Sequence, residues 1–194
     1  MASQSDIKNA VKYSKPNEFY NLAAQTFVPK SWEDPSGTFD ITGMGALRCL
    51  EAIRIYAPKC KFFQAGSSEI YGKPKEEPQT EKTQKLPNTP YGNAKLFAQC
   101  ITDYYRENHD IFACTGILFS HESSRRGENF VTRKVTLSVA KIKFNMLNDI
   151  QIGNIYSKRD WGCAKDFVKA MWMMLQQKIP QNMIISTGKS HSVK

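Results

Sequence analysis

Phe62-Phe63-Gln64-Ala65-Gly66-Ser67-Ser68-Glu69-Ile70-Tyr71-Gly72 is an apolar run that ends in small hydroxyl residues and a carboxylate. Such a run reads as a buried strand carrying Ser67, Ser68 and Glu69 to its carboxyl end, where open α/β sheets hold their ligands. The segment that matters next is Tyr91-Gly92-Asn93-Ala94-Lys95. Thr89 can cap a helix there, and Pro90 suits the first helical position because it gives up only an amide that would have no helical partner. Tyr91 then lies in the first turn, and Lys95, four residues on, shares its face.

An ammonium beside a phenol favours the phenolate, and the positive end of the helix dipole adds to that bias. A phenolate held near neutral pH can take a proton from a sugar or steroid hydroxyl while a nicotinamide removes hydride from the same carbon. The tyrosine–lysine spacing by itself also arises by chance in ordinary helices. It is Ser67 and Glu69 at the end of the preceding strand that favour the catalytic reading.

With 194 residues, 41% of them hydrophobic and 11% aromatic, the chain can bury the core of one globular domain. No run approaches the roughly 18 apolar residues of a membrane span. The start, Met1-Ala2-Ser3-Gln4-Ser5-Asp6, has neither the basic head nor the apolar middle of a secretory signal. A cytoplasmic chain without membrane attachment is expected. Cys49, Cys60, Cys100, Cys114 and Cys163 are odd in number and far apart, and His109, His121 and His191 are equally scattered. Reduced, mostly buried thiols and no metal site are expected. A net charge of +9 raises the question of nucleic acid. The lysines are spread along the chain without an aromatic RNA-binding motif, finger spacing or basic-region helix, so no nucleic-acid partner is expected. A nucleotide diphosphate is a smaller anion that suits the same charge.

In chain order, Asp6 to Tyr13 reads as the end of a helix, with Ile7, Ala10 and Val11 at helical spacing. Glu18 to Ala24 reads as a short central strand ending in small residues, followed by Gln25 and Thr26; those small residues serve either a flat ligand or tight helix–sheet packing. Pro29 to Gly37 reads as a loop. Thr42-Gly43-Met44-Gly45 imitates a dinucleotide fingerprint, but Arg48 stands at the third glycine and no strand precedes it. A helix is expected from Gly45 to Tyr56 with Leu47, Leu50 and Ile53 inward and Ile55 as a further candidate for that side. Lys73 to Pro87 is a surface excursion, and the Tyr91 helix runs to Asn108 on an apolar pattern of Leu96, Phe97, Cys100, Ile101, Tyr104 and Tyr105. Phe112 to Ser120 is a second buried strand that brings His121, Glu122, Arg125 and Arg126 to the same sheet edge. Asn129 to Met146 is read as a helix, although Val135, Leu137 and Val139 alternate. Asp149 to Gly153 is a strand, Trp161 to Gln177 a helix and Met183 to Gly188 a final strand, an order that indicates an α/β fold with a mainly parallel sheet.

Several motifs together resemble one family, the GDP-mannose 4,6-dehydratases of the extended short-chain dehydrogenase/reductases. They are Asn21-Leu-Ala-Ala-Gln25, the Phe63 to Gly72 run, Pro90-Tyr-Gly-Asn-Ala-Lys-Leu96, Gly116 to Gly127, Phe130-Val-Thr-Arg-Lys134, Lys158-Arg-Asp-Trp-Gly162, Ala164-Lys-Asp166, Ser186-Thr-Gly188 and His191-Ser-Val193. The resemblance covers nearly the whole chain. It implies a Rossmann-like cofactor domain with a smaller sugar-nucleotide domain, NADP as cofactor, and conversion of GDP-mannose to GDP-4-dehydro-6-deoxymannose on the way to GDP-fucose, by a homo-oligomer. Position by position, it implies catalytic roles for Tyr91, Lys95, Glu69 and Ser67. Leu22, Ala23, Ala24, Gln25, Thr26, His121 and Arg126 fall with Tyr91 and Lys95 at cofactor positions, and Ser68, Lys134 and Arg159 at substrate positions. The last two can clamp a diphosphate or remain solvated charges, and Glu122 can orient a neighbour or form a plain salt bridge.

Ser67 stands where the family has threonine, keeping the hydroxyl, whereas Ser120, Ser124 and Cys163 stand for asparagine, proline and histidine. The family opens with a strand, a glycine-rich turn and a helix, and none precedes Asp6; the chain ends at Lys194, before most of the sugar-nucleotide domain. The expected fold is therefore α/β, a Rossmann-like and mainly parallel sheet with flanking helices. It is incomplete, lacking the first strands and the glycine-rich turn, and it has pieces of the substrate domain within about residues 120–165. Two alternatives stay open: an epimerase of the same superfamily, which shares Tyr91 and Lys95, and a silent fragment that pairs with a full-length relative.

Overall fold

The computed structural model describes residues 1–194 and divides them into two compact units, Met1–Leu118 with Lys169–Ile185 and Phe119–Val168 with Ser186–Lys194. The first unit is built on four parallel strands in the order β1-β2-β3-β6: β1 (Glu18–Asn21), β2 (Lys61–Ala65), β3 (Ala113–Leu118) and β6 (Met183–Ile185). β1 is thus an edge strand of this sheet rather than a central one, and it stops at Asn21, short of the alanines. Around the sheet run α1 (Gln4–Ser14), α4 (Gly45–Tyr56) and α5 (Pro90–Asn108). Phe62 and Ala113 join Val11, Leu50, Ile53 and Tyr105 in the main core. Phe63, the next residue, points to the opposite face, where the absence of a side chain at Gly116 leaves room for its ring.

The two prolines read as loop markers start helices instead. Pro29 and Pro35 occupy the first turns of α2 (Val28–Glu33) and α3 (Pro35–Phe39), and Asp34 caps the second by accepting from the Gly37 N–H at 2.9 Å. The fingerprint-like glycines lie in a π turn, Asp40–Met44, and at the start of α4. A side chain on Gly43 would meet Phe97 at 3.2 Å, so this glycine serves packing and not a phosphate cradle. α5 has the expected ends, but its buried stripe is Tyr91, Ala94, Lys95, Ala98, Gln99, Thr102 and Tyr105, while Cys100 and Tyr104 are exposed. Small and polar residues let this helix lie close to the sheet, and hydrophobicity alone misplaces its inner face.

The second unit holds a three-stranded sheet, β4-β5-β7, in which β4 (Ser120–Glu122) runs parallel to β5 (Lys158–Cys163) and β7 (Ser190–Ser192) antiparallel to it. His121 and Glu122 therefore belong to a sheet of their own, paired with β5. Helix α6 spans Val131–Lys143, as read. Asp149–Gly153 forms no strand, and Trp161 lies in β5, so that α7 begins only at Ala164 and ends at Leu175. The expected last strand, Met183 to Gly188, stops at Ile185 as β6, and β7 is a further strand beyond Gly188.

Candidate active site

Strand β2 ends at Ala65, and the chain turns through Gly66 into extended Ser67 and a short 3-10 turn, Ser68–Tyr71. The Ser67 Oγ accepts the Glu69 N–H at 3.2 Å and so caps that turn. Ile70 and Tyr71 are buried beneath it, which leaves Ser68 and Glu69 half-exposed above. Helix α5 starts as its sequence dictates, with the Thr89 Oγ1 accepting the Gly92 N–H at 2.9 Å and Pro90 at the first position. A Cβ on Gly92 would stand 2.7 Å from the Glu69 carbonyl oxygen and 3.0 Å from the Pro87 side chain. Only glycine allows the start of α5 to close on the Glu69 turn, and this closure brings Tyr91 and the Ser67–Glu69 segment together.

Lys95 is 3% exposed. Its Nζ donates to the Ala65 carbonyl at 2.8 Å and lies 5.8 Å from the centre of the Tyr91 ring. Burial pushes its ammonium down to about 8. At pH 7 the charged form still prevails by about ten to one, so Tyr91, itself buried, has a cation on its own helix face. The pairing expected from a four-residue spacing is thus present, and the lysine is anchored on Ala65, the last residue of β2, two residues before Ser67.

The Leu22–Thr26 loop follows β1 directly. Its backbone is held by side chains: the Ala23 N–H donates to the Asn21 Oδ1 at 3.3 Å, and the Gln25 N–H to the Thr42 Oγ1 at 3.1 Å. Leu22, Ala23 and Thr26 are exposed and Ala24 half-buried, a short-side-chain surface at the carboxyl end of a parallel strand. The Gln25 Nε2 donates to the Phe27 carbonyl at 2.9 Å, whereas its Oε1 is buried without a partner. Thr42 sits in the π turn, a local irregularity with a use: it turns a hydroxyl toward this loop.

The remaining predicted positions lie in the second unit. The His121 Nδ1 is 2.9 Å from the Phe119 carbonyl, which can only accept, so Nδ1 carries a proton and donates it there. The ring stacks on Phe167 at 4.8 Å, and Gly162 makes room for Phe167, since a Cβ there would lie 2.3 Å from it. Asp160, in the same Arg-Asp-Trp-Gly motif, accepts from the Thr187 N–H and hydroxyl and from the Gly188 N–H at 2.8–3.0 Å. The motif is therefore a pair of clamps. Glu122 orients a neighbour: its Oε2 is 3.3 Å from the Arg126 Nε and accepts the Thr132 hydroxyl at 2.6 Å, while the Arg126 guanidinium covers Phe130 at 3.6 Å. Lys134 is exposed, and the Arg159 guanidinium donates to the neighbouring Lys158 carbonyl at 2.8 Å.

Sequence reasoning passed over three residues at this site: Asn21, Gln64 and Thr42. The first two are polar positions within strands, fully or nearly fully buried, and that mismatch was the available signal.

Comparison with known proteins adds a lineage to this geometry. The family model described as GDP-mannose 4,6 dehydratase matches residues 1–194. The chain belongs to the GDP-mannose 4,6-dehydratase family. Among curated relatives, the GDP-mannose 4,6 dehydratase of Drosophila melanogaster is 47% identical over 100% of this chain and 50% of its own length. That of Homo sapiens is 50% identical over 93% of this chain and 49% of its own. The chain thus spans about half the length of these family members. Among solved structures, RMD from Pseudomonas aeruginosa complexed with NADPH superimposes with a TM-score of 0.92 at 22% identity, over 99% of this chain and 66% of that one. A dTDP-glucose 4,6-dehydratase, DesIV from Streptomyces venezuelae with NAD bound, gives 0.86 at 14% identity over 98% and 57%. At those identities the likeness establishes the fold alone, an α/β Rossmann-like unit with a mainly parallel sheet. No helix is long and apolar enough to cross a membrane.

Proposed function

We propose that this chain carries the catalytic centre of a GDP-mannose 4,6-dehydratase, acting on GDP-mannose with NADP. The observation that carries the reading is the closure of Gly92 on the Glu69 carbonyl, which unites a tyrosine–lysine pair with a serine–glutamate turn. The residues of the Leu22–Thr26 loop fit a dinucleotide: two alanines give a flat approach, and the buried Gln25 Oε1 has an unmet acceptor. Lys95 and Tyr91 would hold the same cofactor, and His121 and Arg126 are assigned to cofactor positions by the family resemblance alone. When bound, NADP supplies the hydride acceptor for C4 of the hexose and the donor for C6.

The chain's own groups then do the proton work. Tyr91, as the phenolate, takes the proton of the 4-hydroxyl, and the Lys95 charge favours that phenolate near neutral pH. A ketone at C4 acidifies the C5 proton, which Glu69 removes, and Ser67 assists the departure of water from C6. Ser68 contacts the sugar, and Lys134 and Arg159 supply cations for the diphosphate. Glu69 separates this reading from a 4-epimerase, which needs no base at C5.

The same reading assigns the chain to the cytoplasm and to a homo-oligomer. Five free thiols support a reducing compartment, and burial pushes those of Cys49 and Cys114 up to about 12. The test is incubation with GDP-mannose and NADP. The unaltered chain yields the 4-keto sugar, whereas Glu69→Gln reduces cofactor transiently without dehydration. No keto sugar from the unaltered chain overturns autonomous dehydratase activity, and undiminished dehydration by Glu69→Gln overturns the role of Glu69.

A further inference from the structure

Asn21 and Gln64 lie side by side in the register of β1 and β2, 3% and 0% exposed. Two amides in such a place demand partners, and here they form a chain with backbone at each end. The Ala23 N–H donates to the Asn21 Oδ1 at 3.3 Å; the Asn21 Nδ2 donates to the Gln64 Oε1 at 2.8 Å; the Gln64 Nε2 donates to the Ala65 carbonyl at 3.0 Å. The Lys95 Nζ donates to that same carbonyl at 2.8 Å.

The ends leave the amides no choice of orientation. A carbonyl only accepts, so Gln64 must turn its nitrogen to Ala65 and its oxygen to Asn21. Asn21 must then offer its nitrogen to Gln64, which leaves its oxygen for the Ala23 N–H. Reversing either amide would set oxygen against oxygen or hydrogen against hydrogen in a buried place. In the β1–β2 register the residue opposite Ala65 would be Leu22, already outside the strand, so side chains take over at the point where backbone pairing ends.

We propose that Asn21 and Gln64 are positioning residues for Lys95, forming a polar relay that ties the backbone at Ala23, in the loop assigned to the cofactor, to the carbonyl that anchors the lysine. The relay shares the Ala65 oxygen between Gln64 and Lys95, and so sets how strongly that oxygen holds the ammonium. It explains why a glutamine stands in the middle of Phe62-Phe63-Gln64-Ala65 although a methionine of similar size would suit the core. It rests on the assignment of Lys95 made above, but its consequence concerns the lysine itself and needs no turnover.

The test is NMR titration of the Lys95 side chain in the isotope-labelled full chain, in three forms: unaltered, Gln64→Met and Asn21→Ser. Gln64→Met removes the competing donor, leaving the Ala65 oxygen to Lys95, and the midpoint rises by about half a pH unit or more. Asn21→Ser keeps an acceptor for the Ala23 N–H but is too short to reach Gln64. The Asn21 side chain bonds neither the Ala65 carbonyl nor Lys95, yet its replacement moves the midpoint in the same direction by a smaller amount. A role confined to fastening β1 to β2 would lower stability and leave the titration unmoved; two folded variants with the unaltered midpoint overturn the proposal. Should both variants fail to fold, the unaltered chain decides. The side-chain amide protons of Asn21 and Gln64 exchange with solvent as slowly as the backbone amides of β2, and rapid exchange overturns the relay. Neither result depends on whether the chain dehydrates GDP-mannose, so failure of the functional assignment and failure of the relay are told apart.

Discussion

Replacing Lys95 by methionine stabilises the chain at neutral pH while removing the charge proposed to serve Tyr91. Burial lowers the ammonium from its ordinary 10.5 to about 8. A difference of that size corresponds to about 3 kcal/mol spent on keeping a proton in an unfavourable place. The unfolded chain binds this proton more tightly than the folded one, so between about pH 8 and 10.5 stability rises with pH, and below pH 8 the full penalty is present. Methionine matches the stem of the lysine and needs no solvation. It gives up one charge-assisted hydrogen bond worth about 2 kcal/mol, and the Ala65 carbonyl keeps its bond from Gln64. The net gain at pH 7 is therefore about 1 kcal/mol. Urea unfolding of both proteins at intervals from pH 7 to pH 10.5 measures it: the curves of stability against pH differ most at the acid end and approach each other, then cross, toward the alkaline end. A variant no more stable than its parent at pH 7, with the same pH slope, would refute the claim that desolvation dominates at Lys95.

Gly92→Ala inserts a methyl 2.7 Å from the Glu69 carbonyl and forces α5 off the turn, at a cost of about 1–3 kcal/mol. Its loss of dehydratase activity exceeds what the folded fraction from denaturant titration accounts for. Thr89→Ala removes the cap of α5 and lowers stability by about 1 kcal/mol, measured the same way. Asp160→Ala strands the Thr187 and Gly188 amides and costs about 2 kcal/mol or more locally; hydrogen exchange at those two amides accelerates while that of β2 does not.

What the sequence disclosed and what it withheld follow from the range of the forces involved. The start of α5 was legible because a cap and a proline act within one turn, and Thr89-Pro90 marks it without help from the rest of the chain. Pro29 and Pro35 went astray for the same local reason, since a proline that ends one segment also opens the next. Strand β5 was missed because Lys158-Arg-Asp-Trp-Gly-Cys163 has no strand pattern of its own; it is a strand only because β4 and β7 pair with it, and Ile150 and Ile152 offered a better imitation nearby. The inner face of α5 was misplaced because closeness to a sheet selects small residues, which a hydrophobic count undervalues.

The same distinction governs the candidate site. Tyr91, Lys95, Ser67 and Glu69 could be named from the sequence because each stands at the end of an element, where spacing and capping say which way it faces. Asn21 and Gln64 could not, because each has meaning only through the other, across a strand pairing 43 residues apart in sequence. A buried amide inside an apolar strand is costly unless its partners are supplied, so its presence amounts to a demand for a specific neighbour. Here that demand runs from the loop at Ala23 to the carbonyl under Lys95. A fold that needed only to be stable would have placed apolar side chains at both positions, which is the argument for looking to Lys95 for their purpose.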